Sequence, residues 1–285
     1  MRKNVFVWGI ALLAVAAQDV VGQEADAAPA SPWTKKLIAS INFTQASFSN
    51  WAQGGENSLA WQSTLNAELT RSEDGYDFVN KGKFTFGLSR VGDTGNRKSA
   101  DEIRLESVFT WKRGKYLNPF VSGSAQTQFA SGYDYSGTTK TKVSKFLDPG
   151  YFTQSAGVGY NPNKMFKTRL GATAKETVTS DFAVPYSDDP STPGIEKTRF
   201  EGGVTSITEV ERTFEEDAVF TSRLELFSNL KGLDQIDLTW ENLLSLKVTR
   251  LINVNLSVDL VYDKDVTDDL QMKEILGVGL SYSFL

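Results

Sequence analysis

The chain has no cysteine and no histidine in its 285 residues. Without cysteine there can be no disulfide, no thiolate metal site and no lipid anchor on a cysteine. Without histidine the commonest general base and metal ligand is gone, and with it any Ser-His catalytic pair. No catalytic residue, no cofactor and no metal site are therefore expected. Positive charge is also short: 30 Lys and Arg stand against 35 Asp and Glu, a formal net charge of -5. With no basic cluster anywhere, nucleic acid is not expected as a partner.

Long apolar runs are equally scarce. Arg2 and Lys3 precede one from Val5 to Ala17, which is shorter than the roughly 20 residues of a spanning helix. It is followed by small residues, so residues 1–22 read as a cleaved secretory signal, with Ala27 as the alternative cleavage point. Residues 23–34, rich in Ala, Pro, Ser and Asp, read as a flexible periplasmic lead-in. The remaining 35–285 form one unit.

What fills that unit is alternation. Leu270, Met272, Leu276, Val278, Leu280, Tyr282 and Phe284 fall on one face of an extended strand. Gln271, Lys273, Gly277, Gly279, Ser281 and Ser283 fall on the other. Trp61, Ser63, Leu65, Ala67 and Leu69 alternate in the same way with Gln62, Thr64, Asn66, Glu68 and Thr70. Related faces recur at Leu37–Thr44, Glu102–Lys112 and Asp237–Val248, with charged residues on the polar side in the last two. One soluble sandwich strand would look the same, so the argument rests on repetition. Twelve strands are predicted, at 35–48, 57–71, 77–91, 101–113, 116–129, 151–160, 165–182, 199–213, 218–228, 236–248, 253–262 and 270–285. Most match or exceed the roughly 9 to 11 residues a tilted membrane strand requires, and an even number suits a closed bacterial barrel.

The connectors alternate too. Tight turns at 74–75, 113–115, 161–164, 215–217 and 249–252 are interleaved with longer stretches at 92–100, 130–150, 183–198 and 263–269. Outer-membrane barrels pair short periplasmic turns with longer external loops, which puts both termini on the periplasmic side. Aromatics cluster near both sets of connectors, as two interfacial girdles would. The pattern predicts an all-β, membrane-spanning, antiparallel up-and-down β-barrel of about 12 strands in the outer membrane of a Gram-negative bacterium. A monomer is expected, with outer-membrane lipid and, during insertion, the barrel-assembly machinery as partners. One departure concerns the end of the chain: such barrels usually finish on an aromatic, whereas here Phe284 is followed by Leu285.

The polar strand faces carry Lys81, Lys83, Glu102, Arg104, Glu106, Lys112, Arg169, Lys175, Arg223, Glu225, Glu241, Lys247, Asp259 and Lys273. Two readings of these lumen-lining candidates stay open. The charges pair across the interior and close it, or they line a water-filled passage with a weak ion preference. Acid-base work by Glu102 and Glu106 is unfavourable, because i and i+4 positions on a strand lie roughly 13 Å apart. The acidic stretches with Asp188, Asp189 and Glu196, and with Asp263, Asp265, Asp268 and Asp269, lack EF-hand spacing and read as solvated surface loops.

After the first strand comes Phe48-Ser49-Asn50-Trp51-Ala52-Gln53-Gly54-Gly55-Glu56-Asn57-Ser58. Gly54-Gly55 permits a tight reversal, and Trp51 either anchors at the interface or folds into the mouth of the lumen. The Asn50-Trp51 pair followed by Gly54-Gly55, after a Thr-Gln strand, resembles the outer-membrane β-barrel family known as domain of unknown function 3078, from Bacteroidetes-type bacteria. The resemblance extends over the mature chain. It implies fold and location and carries no activity. The expected function is a narrow passive channel for small polar solutes or ions; the alternative is a closed structural or surface-binding barrel acting through the loops 130–150 and 183–198.

Overall fold

The computed structural model describes residues 32–49, 55–137, 139–214, 217–230, 236–264 and 266–284. Residues 1–31, on which the expected signal and most of the expected lead-in fall, and Asn50, Trp51, Gly54, Asp265 and Leu285 lie outside the described residues. Twelve strands form the wall: β1 (Trp33–Ala46), β2 (Ser58–Ser72), β3 (Tyr76–Val91), β4 (Arg97–Trp111), β5 (Leu117–Thr127), β8 (Gly150–Tyr160), β9 (Phe166–Val178), β10 (Thr198–Phe214), β11 (Ala218–Ser228), β12 (Ile236–Lys247), β13 (Ile252–Asp263) and β14 (Thr267–Ser283). Each pairs antiparallel with the next, and β1 pairs with β14, from Ile38↔Ser283 to Phe43↔Val278. The barrel is closed, so no edge is left unpaired.

Two further strands, β6 (Gly132–Asp134) and β7 (Thr141–Ser144), make a small hairpin within the connector between β5 and β8. They are too short to show a period, and the sequence reading placed a loop there. It also began the fourth strand at residue 101, whereas β4 begins at Arg97. The reason is a bulge at Ser99 opposite the Gly87/Leu88 step, which inserts one residue and breaks the alternation. Trp33 and Thr34, read as lead-in, already belong to β1. With β4 extended, the connector after β3 shrinks to 92–96, and that between β13 and β14 to 264–266. The loop excess is concentrated in 128–149 and 179–197.

Side chains alternate between the two faces of the wall. On β14 the apolar set from Leu270 to Phe284 is exposed on the outside while Gly277 and Gly279 are buried within. Glu274 is an exception, because it shares the outward face opposite Val258. On β1 to β4, outward Trp33, Tyr76, Phe78, Phe109 and Trp111 pack as an aromatic cluster at the turn end, with centroid separations from 4.9 to 6.1 Å. Inside, Phe120 is 4% exposed and stands opposite Gly157, which in turn pairs with Gly171. A Cβ on Gly157 would overlap the Leu170 carbonyl oxygen, and one on Gly171 would lie 2.7 Å from the Ala156 oxygen and 3.1 Å from the Phe120 ring. The paired glycines let β8 and β9 approach closely and leave a groove that the ring fills.

The two long loops are fastened to one another. The fully buried Asp148 carboxylate accepts hydrogen bonds from the amides of Ser180 (2.8 Å), Asp181 (2.8 Å) and Phe182 (3.3 Å). Lys145 donates to the Asp181 carboxylate. Farther along, buried Ser187 bonds Thr179 (2.7 Å) and the Glu196 carbonyl (3.0 Å).

Candidate lumen

Side chains from strands that are not neighbours can meet only inside a barrel, and ten charged ones do so in two adjacent clusters, one of four residues and one of six. Lys83 on β3 donates to Glu241 on β12 at 2.8 Å and lies 2.8 Å from Glu102 on β4. Arg104 holds the same two carboxylates, at 2.6 Å to Glu241 and 2.8 Å to Glu102. Lys83 and Arg104 are direct cross-strand partners, a like-charge pair that would repel. The shared carboxylates reverse that balance.

Deeper toward the turn end, Lys81 on β3 donates to Glu209 on β10 at 2.9 Å. Arg223 on β11 reaches Glu209 at 2.8 Å, Glu225 at 3.1 Å and Glu106 at 3.5 Å, while Arg169 on β9 donates to Glu106. Five cations thus meet five carboxylates, and the network is formally neutral. In a confined, poorly hydrated space each ion requires such partners, since an unpaired one would be costly to desolvate.

The sequence-derived candidates divide accordingly. Lys81, Lys83, Glu102, Arg104, Glu106, Arg169, Arg223, Glu225 and Glu241 come together in this network. Lys175 forms a second interior group nearer the loop end, donating to Asp237 at 2.6 Å and lying 5.1 Å over the Phe227 ring. Asp259 and Lys273 pair at 2.8 Å on adjacent strands. Lys247 ends β12 and is exposed at the turn-end rim. Lys112 lies just past the end of β4 and joins the turn around Gly75 at the turn end of the barrel, bonding Asp77 and the Glu73 carbonyl at 2.8 Å each. Of the loop motif only Gly55 is described, with φ +132° and its Cα face against the Phe48 ring.

Glu209 is not among the residues that the alternating pattern singles out. β10 carries Ile207 on its inner face and Ser206 and Thr208 on its outer face, so its alternation is blurred. Strand parity counted from Glu201 would have found it.

The rest of the interior differs in kind. On β13, β14, β1 and β2 the inward positions include Asn253, Asn255, Ser257, Gly277, Gly279, Ser281, Ser40, Asn42, Gln62, Thr64 and Asn66. Asn255 donates to Asn42 at 2.7 Å and Asn253 to Ser281 at 2.6 Å. Asn42 lies directly on Gly279, where any side chain would displace it. Burial also differs between the two sides. Inward Glu106, Glu201 and Thr205 are 8%, 8% and 5% exposed. Asn66, in the middle of β2, is exposed, and the Lys273 side chain is 50% exposed.

Residues 43–133 match the family model described as protein of unknown function (DUF3078). The matched segment runs from the second half of β1 to β6 and contains the Asn50-Trp51 and Gly54-Gly55 motif on which the resemblance was drawn. No curated protein matches the chain. Similar solved structures include the translocator domain of the autotransporter NalP from Neisseria meningitidis, with 13% identity, 88% of this chain and 87% of that one covered, and a TM-score of 0.37. The NanC porin has 10% identity, 86% and 98% coverage and a TM-score of 0.41. OprB from Pseudomonas putida has 9% identity, 88% and 94% coverage and a TM-score of 0.36. At these values the likeness carries no argument, and the architecture above is read from the chain's own strand pairing.

Proposed function

We propose that this barrel spans the outer membrane of a Gram-negative bacterium as a monomer and gives small polar solutes a narrow, passive passage. A lipid setting is supported by the outer wall, where Phe43, Leu65, Leu105, Leu170, Leu276 and Val278 are all exposed. An apolar surface this extensive is not left to water. The aromatic cluster at the turn end suits an interfacial position. Closure by β1 and β14 satisfies the sheet without a second copy, and outer-membrane lipid and the assembly machinery are the proposed partners. No catalytic role is assigned to any residue.

The observation that carries the reading is that the interior is polar and incompletely filled. Asn66, directly beside Lys83 in the sheet, and Lys273 retain solvent access at mid-height where the ion network ends. A wide pore would leave the charges unpaired and hydrated; a packed barrel would bury Asn66. Swelling of liposomes containing the refolded protein tests this. Small neutral solutes should enter and larger ones should not. Folded protein that admits nothing would overturn the reading.

A second reading has its own support. The loops at 128–149 and 179–197 are tied by Asp148 and display Phe129, Phe146, Val184 and Ile195. A fixed apolar surface at the loop end suits contact with a partner, and deleting both loops would then abolish function while the barrel still folds.

A further inference from the structure

We infer that the solute path runs along the inner faces of β13, β14, β1 and β2, and that its solutes are small, uncharged, hydroxyl-rich molecules rather than ions. This rests on the passage reading above and names its route and substrate class.

The route follows from where the interior is filled. Toward β4, β5, β8, β9 and β10 the inward side chains are packed away from solvent, as with Phe120, Glu106, Thr173 and Thr205. Toward β13, β14, β1 and β2 many are short, such as Ser40, Thr64, Ser257 and Ser281, and Gly277 and Gly279 contribute none. Side-chain exposure rises in that direction, from 14% for Arg169 and 34% for Lys83 in the network to 50% for Lys273 beyond it. The open space is therefore eccentric and lies against the bank formed by β13, β14, β1 and β2.

The substrate class follows from the chemistry of that bank. Asn42, Asn66, Asn253, Asn255, Gln62, Thr64 and Ser281 offer both donors and acceptors. A hydroxyl-rich solute can exchange its water hydrogen bonds for these without net loss, and inward Ile38 and Ile275 suit its C–H faces. An ion entering the same space would shed water and meet a mostly uncharged lining at mid-height. The Asp259 carboxylate there is held by Lys273 at 2.8 Å, and Lys36 and Glu68 lie toward the turn end, opposite one another in register. The ion network is neutral. Such a lining gives ions a barrier without offering them a site.

The test uses the full refolded barrel in liposomes, with glycerol and a six-carbon polyol as neutral probes and potassium chloride as the ionic one. Asn66→Trp and, independently, Ser40→Trp obstruct the proposed route; Ser124→Leu adds apolar bulk on the far side. Each variant is first shown to be folded by heat-modifiable gel migration. Polyol entry should fall by about tenfold in either tryptophan variant and change by less than about twofold in Ser124→Leu, with potassium chloride entering more slowly than polyol throughout. If polyols enter but neither tryptophan variant slows them, the route is wrong. Faster entry of the salt would mean that the solute class is wrong. If nothing enters the folded parent protein, the passage reading itself fails and this inference with it.

Discussion

Lys83 on β3 and Glu241 on β12 meet across the barrel interior, Nζ to Oε1 at 2.8 Å, although the two residues lie 158 positions apart in the chain. Arg104 shares the same carboxylate at 2.6 Å. Glu241 is thus the point at which two cations from one wall are held by the opposite wall. Removing it would leave them with Glu102 alone.

Glu241→Gln should therefore destabilise the barrel toward the lower end of the roughly 3–5 kcal/mol seen when one member of a buried pair is lost, since the Glu241 side chain keeps 20% exposure. Urea unfolding in detergent micelles measures this. Replacing Lys83, Glu102, Arg104 and Glu241 together by Met, Gln, Met and Leu should recover most of the loss, because no charge is then stranded. A single substitution as mild as the quadruple one would show that the pairing contributes little.

Gly157 makes a steric prediction. Its missing side chain lets the Leu170 carbonyl approach, so Gly157→Ala forces β8 and β9 apart at the position where Phe120 packs. Overpacking of this kind costs about 1–3 kcal/mol. Refolding yield should fall, whereas Gly202→Ala, at an open position, should refold like the parent.

The loop clamp makes a third. Asp148→Asn removes the charge that binds the Ser180 and Asp181 amides; a hydrogen bond to a charged group contributes about 1.5–3 kcal/mol. Hydrogen exchange at those two amides should accelerate while exchange in the barrel strands is unchanged. The neighbouring ion pair responds to pH. The hydrogen bond from Lys145 holds the Asp181 carboxyl below its ordinary range, and Lys145 is correspondingly raised. A depressed carboxyl stabilises above its unfolded pKa of about 3.9 and loses that contribution as pH falls through the folded value. The clamp should therefore hold from neutral pH to about pH 4 and loosen only below it. An NMR titration of Asp181 in Lys145→Met should show its pKa moving up.

The barrel wall was legible in sequence because lipid-type outer faces repeat: Leu59, Leu65 and Leu69 on β2 and Leu270 to Phe284 on β14 set the register unaided. What escaped was whatever breaks the period of two. The Ser99 bulge hid the start of β4, and the short β6–β7 hairpin has no period to read. The identity of the interior charges was mostly legible, but their partners were not. Whether Lys83 meets Glu102, Glu241 or water depends on barrel radius and strand stagger, which sequence does not display. Asp148 looked like any other loop acid, and only its burial against three amides marks it out.

The most direct measurement is single-channel conductance of the refolded protein in a planar bilayer, alongside Lys81→Glu plus Lys83→Glu. A narrow passage beside a neutral network predicts small, steady conductance with nearly equal cation and anion permeability, shifting toward cations in the double variant. Folded protein that neither conducts ions nor admits polyols, or strong selectivity that the double variant leaves unchanged, would contradict it.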